Sequence, residues 1–310
     1  MSSENRPNPP RPVGRFSERL AGGEILVLDG ATGTELQRRR VLATLPLWSA
    51  QALIDHPSVV QRIHEEYVAA GADIITANTF RTTRRTLRKA GMDGNRASAL
   101  TERAVMLAKD ATATGERPVL VAGSIAPLED CYSPDLTPPF KLALVEHRDH
   151  AAALAAAGVD LLLIETMPTA GEAEAATIAA VETGLDVAVS VVCGEDGRLL
   201  SGETLGEVVR RVASHHVSAL LVNCARPKVI QNALVELKQL TALPIGGYAN
   251  AGIVHADNGW APDPSLTPLR YAESVAGWLD TGARIVGGCC GTTPAHIAAI
   301  RHMLDARSRN

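Results

Sequence analysis

The chain has 310 residues, 46% of them hydrophobic, and a formal net charge of −4 with acids and bases interspersed. That length supports a large core, arranged either as two ordinary domains or as one α/β barrel. The mild charge and the lack of a basic patch exclude a nucleic-acid-binding surface, and no apolar run is long enough to span a membrane.

Taken in order, Met1 to Arg15 is polar and proline-rich without an apolar signal-peptide core, which predicts a disordered arm over residues 1–15. The rest, residues 16–310, reads as one folded unit. Short aliphatic runs predict strands over Ile25–Asp29, Asp73–Ala77, Pro118–Gly123, Asp160–Glu165, Asp186–Val192, Ser218–Asn223, Pro244–Tyr248 and Arg284–Gly288. Continuous runs such as Leu161-Leu162-Leu163-Ile164 are typical of strands buried on both faces, as in parallel sheets. Helical patterns cover Ser58–Ala70, Asn95–Thr114, Lys141–Ala157, Gly171–Thr183, Leu205–His216, Lys228–Leu240, Leu269–Thr281 and Pro294–Arg307. The junctions Ala70-Gly71-Ala72-Asp73, Ala157-Gly158-Val159-Asp160 and Thr281-Gly282-Ala283-Arg284 each end a helix on glycine and enter a strand.

Eight strands alternating with eight helices fit a single (β/α)8 TIM barrel of the α/β class. An open doubly wound sheet would also alternate, but it concentrates its site at one switch point. Here polar residues mark nearly every strand end: Asp29-Gly30, Thr76 and Asn78, Ser124, Glu165, Cys193, Asn223-Cys224, Tyr248 and Asn250, and Cys289-Cys290. The barrel reading sets all of these at one mouth.

Five cysteines, an odd number in a chain without a signal sequence, argue against a disulfide framework and for a reducing, cytoplasmic location. Two of them stand side by side in Gly287-Gly288-Cys289-Cys290-Gly291-Thr292-Thr293-Pro294. Successive strand side chains point to opposite faces, so a Cys-Cys pair converges on one partner only where the backbone bends, as the flanking glycines permit. With Cys224 across the same rim, the three thiols form a candidate zinc site at the C-terminal ends of the strands. Three thiolates with an open fourth position is a catalytic arrangement, suited to activating a substrate thiol. Inert core cysteines, or a vicinal disulfide at Cys289–Cys290, are the competing readings.

The segments Leu28-Asp29-Gly30-Ala31-Thr32-Gly33-Thr34-Glu35-Leu36, Thr76-Ala77-Asn78-Thr79-Phe80, Glu165-Thr166, Asn223-Cys224 and Gly287–Pro294 resemble, in the same order, the homocysteine S-methyltransferase family. The resemblance runs from about Glu24 to His302 and implies a zinc-binding barrel that methylates homocysteine to methionine. By position it makes Cys224, Cys289 and Cys290 the zinc ligands and Glu165 the carboxylate that holds the homocysteine ammonium. It puts Asp29 and Gly30 at the amino-acid end of the substrate. A carboxylate ending an apolar strand is costly to bury unless it meets a cation, which agrees for Glu165. Asp29 reads equally as a turn residue before glycine. Thr76, Asn78, Ser124 and Asn250 would bond either the substrate or neighbouring backbone.

The family's branches use different methyl donors. The betaine branch places tyrosines where this chain has Arg81 and Thr166, so the aromatic cage for a quaternary ammonium is missing. The length leaves no room for cobalamin or folate domains. Leu47-Trp48-Ser49-Ala50 and Asn258-Gly259-Trp260 resemble the short branch that uses a sulfonium donor. S-methylmethionine is the expected donor and S-adenosylmethionine a second, with Trp48 and Trp260 either flanking the sulfonium or packing their loops. Alternatives are methylation of another thiol or selenol, such as selenohomocysteine, and a homocysteine-binding barrel serving a separate cobalamin protein. His64-Glu65-Glu66-Tyr67-Val68 lacks the second histidine of a metalloprotease helix. Cys193 reads as a buried spectator, and Cys131 has no evident partner.

Overall fold

The computed structural model describes residues 15–255 and 259–309, with side chains described outside 253–260. The expected arm, apart from Arg15, lies outside the described residues, as does the side chain of Trp260. The strands are β1 (Leu26–Val27), β2 (Ile74–Ala77), β3 (Leu120–Ile125), β4 (Leu161–Met167), β5 (Asp186–Val191), β6 (Ala219–Asn223), β7 (Ile245–Ala249), β8 (Gly252–His255), β9 (Gly259–Pro262) and β10 (Ala283–Gly288). The helices are α1 (Phe16–Ala21), α2 (Gly33–Arg38), α3 (Gln51–Asp55), α4 (Pro57–Ala70), α5 (Arg84–Lys89), α6 (Ala97–Thr112), α7 (Phe140–Ala157), α8 (Ala170–Val181), α9 (Leu205–Val212), α10 (Pro227–Leu240), α11 (Pro268–Thr281) and α12 (Pro294–Arg307).

Eight strands pair in parallel in the order β1-β10-β7-β6-β5-β4-β3-β2, and a parallel bridge between Leu28 and Ile74 brings the two ends together. This is the expected (β/α)8 barrel. The eight expected helices are α4 and α6–α12; the three repeated helix-to-strand turns end on Gly71, Gly158 and Gly282 in the left-handed conformation.

Alternation along the strands separates two cores. Leu120, Ala122, Leu161, Leu163, Leu221 and Ile285 point into the barrel, while Val121, Leu162, Ile164, Leu220, Val222 and Val286 face the helices. The short helix α1 was not expected from the sequence. Its Phe16 and Leu20 join the inner cluster, so the helix stops the N-terminal end of the barrel. Asp73 ties the same end: its carboxylate accepts the Val27 N–H at 2.9 Å, lies 3.2 Å from Arg117 and also contacts Arg301.

Several other expectations are corrected. β1 is shorter than Ile25–Asp29, and β4 runs past Glu165 to Met167. α9 ends at Val212 and passes through a 3-10 turn, so His215 and His216 are not in an α-helix. The short helices α2, α3 and α5 and the antiparallel hairpin β8–β9 were not anticipated. Among the described residues no helix is long and apolar enough to cross a membrane.

Candidate active site

The strands deliver their C-terminal residues to one mouth. After β10, the Cys289 N–H donates to Ala249 at 2.8 Å and the Cys290 carbonyl accepts from Ala251 at 2.8 Å. The chain then turns: Thr292 closes back on the Cys289 carbonyl through its N–H at 3.1 Å and its hydroxyl at 2.7 Å, and Gly291 adopts a φ of +82°. Leaving the ladder at this point frees the two thiols from strand alternation. Gly288 permits the tight turn, since a Cβ there would lie 2.3 Å from the Thr292 hydroxyl.

Across the mouth, Cys224 follows β6 with a φ of +53°, a conformation that costs a non-glycine residue about 1–3 kcal/mol. Asn250 holds it by donating its amide to the Cys224 carbonyl at 2.9 Å. The sulfurs of Cys224, Cys289 and Cys290 all lie within 4.8 Å of one another. Those of Cys224 and Cys289 are in contact, with Cα atoms 5.7 Å apart. Tetrahedral ligands at zinc–sulfur distances of about 2.3 Å would sit about 3.8 Å apart, so the three sulfurs are near enough to hold such an ion once the touching Cys224 and Cys289 sulfurs part. Burial pushes the Cys290 thiol up to about 11, so a cation at the cluster supplies what an anionic sulfur there requires.

Glu165 reaches the same cavity through a break in the ladder. The β4–β5 register shifts between Ile164 and Met167, and Thr166 takes a φ of +60°. Asn223 holds this irregularity. It accepts the Thr166 N–H at 2.9 Å and the Ser190 hydroxyl at 2.7 Å, and donates to the Thr166 hydroxyl at 2.8 Å. One side chain thereby joins the backbone beside Glu165 to the residue preceding Cys224.

The Glu165 carboxylate accepts from the Ser124 hydroxyl and, at 3.3 Å, from Tyr248. Asp29 accepts the Thr76 N–H and hydroxyl, each at 2.9 Å. Burial raises both acids; Asp29 is pushed up to about 8, with repulsion from Glu165 adding to the effect. Two desolvated carboxyl groups, with the charge of Glu165 opposing that of Asp29, make a pocket suited to a cation.

These groups line one cavity of about 280 Å³, together with Gly30, Trp48, Phe80, Arg81, Asp130, Cys131, Tyr132 and the three clustered cysteines. The structure gives several expected residues indirect places. Ser124 and Thr76 bond the two acids, and both polar ends of Asn78 bond Ser49, at 2.6 Å and 2.9 Å. Asn250 stands behind Cys224 and is not among the cavity's lining residues. Gly30 allows close packing, since a Cβ there would lie 2.7 Å from the Tyr67 hydroxyl. Trp48 packs its indole over Gly33. Cys193 is buried in the outer core, whereas Cys131, without a partner in the sequence reading, lines the cavity.

Sequence reasoning missed Tyr248 as a partner of Glu165 and missed the rim made by Arg81, Asp130 and Tyr132. The signal for Tyr248 was its strand-end position. Asp130 and Tyr132 lie within a proline-rich loop that carries no period, and Arg81 follows β2 in a segment of the sequence read only for the missing aromatic cage.

A barrel whose C-terminal mouth holds a thiol cluster and two buried acids defines a small-molecule enzyme site. Residues 26–304 match the homocysteine S-methyltransferase family, and the chain belongs to it as a methyltransferase. The homocysteine S-methyltransferase of Escherichia coli is 34% identical over 297 residues, covering 90% of this chain and 94% of that protein. The selenocysteine methyltransferase of Astragalus bisulcatus is 31% identical, covering 92% of this chain and 94% of its own. The crystal structure of the Escherichia coli homocysteine methyltransferase MmuM in its metallated form superposes with a TM-score of 0.81 at 32% identity, covering 92% of this chain and 98% of that one.

Proposed function

We propose that the protein transfers a methyl group from S-methylmethionine to the thiol of L-homocysteine at a zinc ion held by Cys224, Cys289 and Cys290. The observation that carries the proposal is the three-sulfur cluster facing Asp29 and Glu165 within one cavity. When bound, zinc supplies a fourth position at which a substrate thiol loses its proton at neutral pH and stays nucleophilic. Glu165, oriented by Ser124 and Tyr248, receives the homocysteine ammonium, with Asp29 beside it. Anchoring that end orients the substrate sulfur toward the cysteines, and holding two reactants in line accounts for much of the rate. The new sulfur–carbon bond forms as the carbon–sulfonium bond breaks, and the released electron pair neutralises the donor sulfur. One homocysteine thiol and one S-methylmethionine thus yield two methionines and a proton.

One observation weighs against a quaternary-ammonium donor: the Phe80 face in the cavity wall is already covered by a cation. The Arg81 guanidinium lies 5.2 Å from the Phe80 ring centre, over the face a quaternary ammonium would need. S-adenosylmethionine is a second candidate donor. Residues 16–310 act as one homocysteine-binding domain, and a reducing cytoplasm would keep the thiols available. The Astragalus bisulcatus relative supports a second reading, in which a selenol such as selenohomocysteine or selenocysteine is the acceptor. A donor panel with homocysteine, read as methionine formed by the purified zinc-loaded protein, tests the first reading. Competition between homocysteine and selenohomocysteine tests the second, and turnover without any added cobalamin protein tests self-sufficiency.

A further inference from the structure

The outer end of the cavity carries charge that the homocysteine end does not use. Arg81 lines it half-buried, held on the Phe80 ring and by donation from Nη1 to the Glu129 carbonyl at 3.0 Å. Among the described residues no carboxylate pairs with it. The neighbouring acid Glu129 is taken by Arg85 and Lys89. Asp130 lines the same rim, and its Oδ1 is committed only to the Tyr132 N–H at 2.9 Å. A held guanidinium and a carboxylate with one uncommitted oxygen therefore line the same cavity, opposite in character to the two-acid pocket at Asp29 and Glu165.

We infer that Arg81 and Asp130 form a second amino-acid subsite, which binds the α-carboxylate and α-ammonium of the methyl donor; this rests on the sulfonium-donor reading above. The chemistry is restrictive. A guanidinium repels the sulfonium centre, so Arg81 suits a donor whose carboxylate lies several bonds from its methyl group. Arginine also matches a carboxylate with two parallel N–H donors, which a point charge would not. Tyr132, Trp48 and Leu45 border the space left for the sulfonium and its carbon chain. The donor class selected is an α-amino-acid sulfonium, which includes S-methylmethionine and S-adenosylmethionine. It disfavours sulfonium acids that lack the amine and sulfonium amines that lack the acid, because each loses one of the two contacts.

The test uses zinc-loaded full-length protein with homocysteine and four donors. These are S-methylmethionine, S-adenosylmethionine, the decarboxylated analogue (3-aminopropyl)dimethylsulfonium and the deaminated analogue (3-carboxypropyl)dimethylsulfonium. Arg81→Ala should raise KM for carboxylate-bearing donors roughly 10- to 100-fold, the range for a lost hydrogen bond to a charged group. It should leave KM for homocysteine and for the decarboxylated analogue unchanged, and Arg81→Lys should recover part of the loss. Asp130→Asn should raise KM for donors that carry the amine and spare the deaminated analogue. A uniform rise across all four donors, or a rise in homocysteine KM instead, would reduce Arg81 to a loop support and overturn the subsite. Unchanged donor KM values in Arg81→Ala overturn it equally. Wild-type protein that turns over none of the four overturns the donor reading itself, and the subsite with it.

Discussion

At the residue scale, the proposed chemistry rests on two buried acids, Asp29 and Glu165, that would meet the homocysteine ammonium. Glu165→Gln keeps the shape and removes the charge that would face the homocysteine ammonium. It should raise homocysteine KM by about 10- to 100-fold, with donor KM little changed, as steady-state kinetics would show. Asp29 gives a pH signature in the substrate-free protein. Its folded value of about 8 exceeds the ordinary carboxylate value of 3.8, so the folded state holds a proton that the unfolded chain releases. The stability tied to neutral Asp29 is complete below about pH 4 and is lost as pH rises through about 8. Urea melts at about pH 5 and about pH 8.5 should therefore show a fall in wild type that Asp29→Asn reduces. The acids were legible in the sequence because each ends an apolar run. Their partners Ser124, Tyr248 and Thr76 were not assignable, because those contacts join strands 41 to 83 residues apart.

At the element scale, the site depends on where each strand stops being a strand. β4 breaks register at Glu165, β6 gives way to a left-handed Cys224, and β10 turns at Gly288 to Gly291. The glycines around the cysteine pair announced the last of these in the sequence. The β4 bulge had no such mark, since Thr166 is a β-branched residue that ordinarily avoids positive φ. Gly288→Ala places a methyl group against Thr292 and should destabilise the protein by about 1–3 kcal/mol while lowering bound zinc, measured by denaturant titration and metal analysis. Asn223→Ala should loosen β4 and β6 together, because Thr166 and Ser190 lose their shared partner.

At the scale of the molecule, the eight-stranded barrel was legible because both faces of each strand are buried, which leaves aliphatic runs that interrupt helical periods. The helices α1, α2, α3 and α5 escaped because five or six residues are too few to show a period. α1 is nonetheless part of the barrel core. Phe16→Ala empties a buried aromatic at the closed end and should cost about 3–5 kcal/mol, with the KM values of the folded fraction unchanged. That outcome would separate the end of the barrel that secures the fold from the end that carries the chemistry.

The division of labour converges on the cysteine cluster, where β6 and β10 meet the cavity. The most direct test follows methyl-labelled S-methylmethionine and homocysteine with zinc-loaded wild type, zinc-stripped wild type and Cys290→Ala. Labelled methionine is expected from the loaded protein, with two methionines for each donor consumed and loss of turnover in the other two preparations. Full turnover by the stripped protein or by Cys290→Ala would contradict methyl transfer at the cysteine-bound zinc.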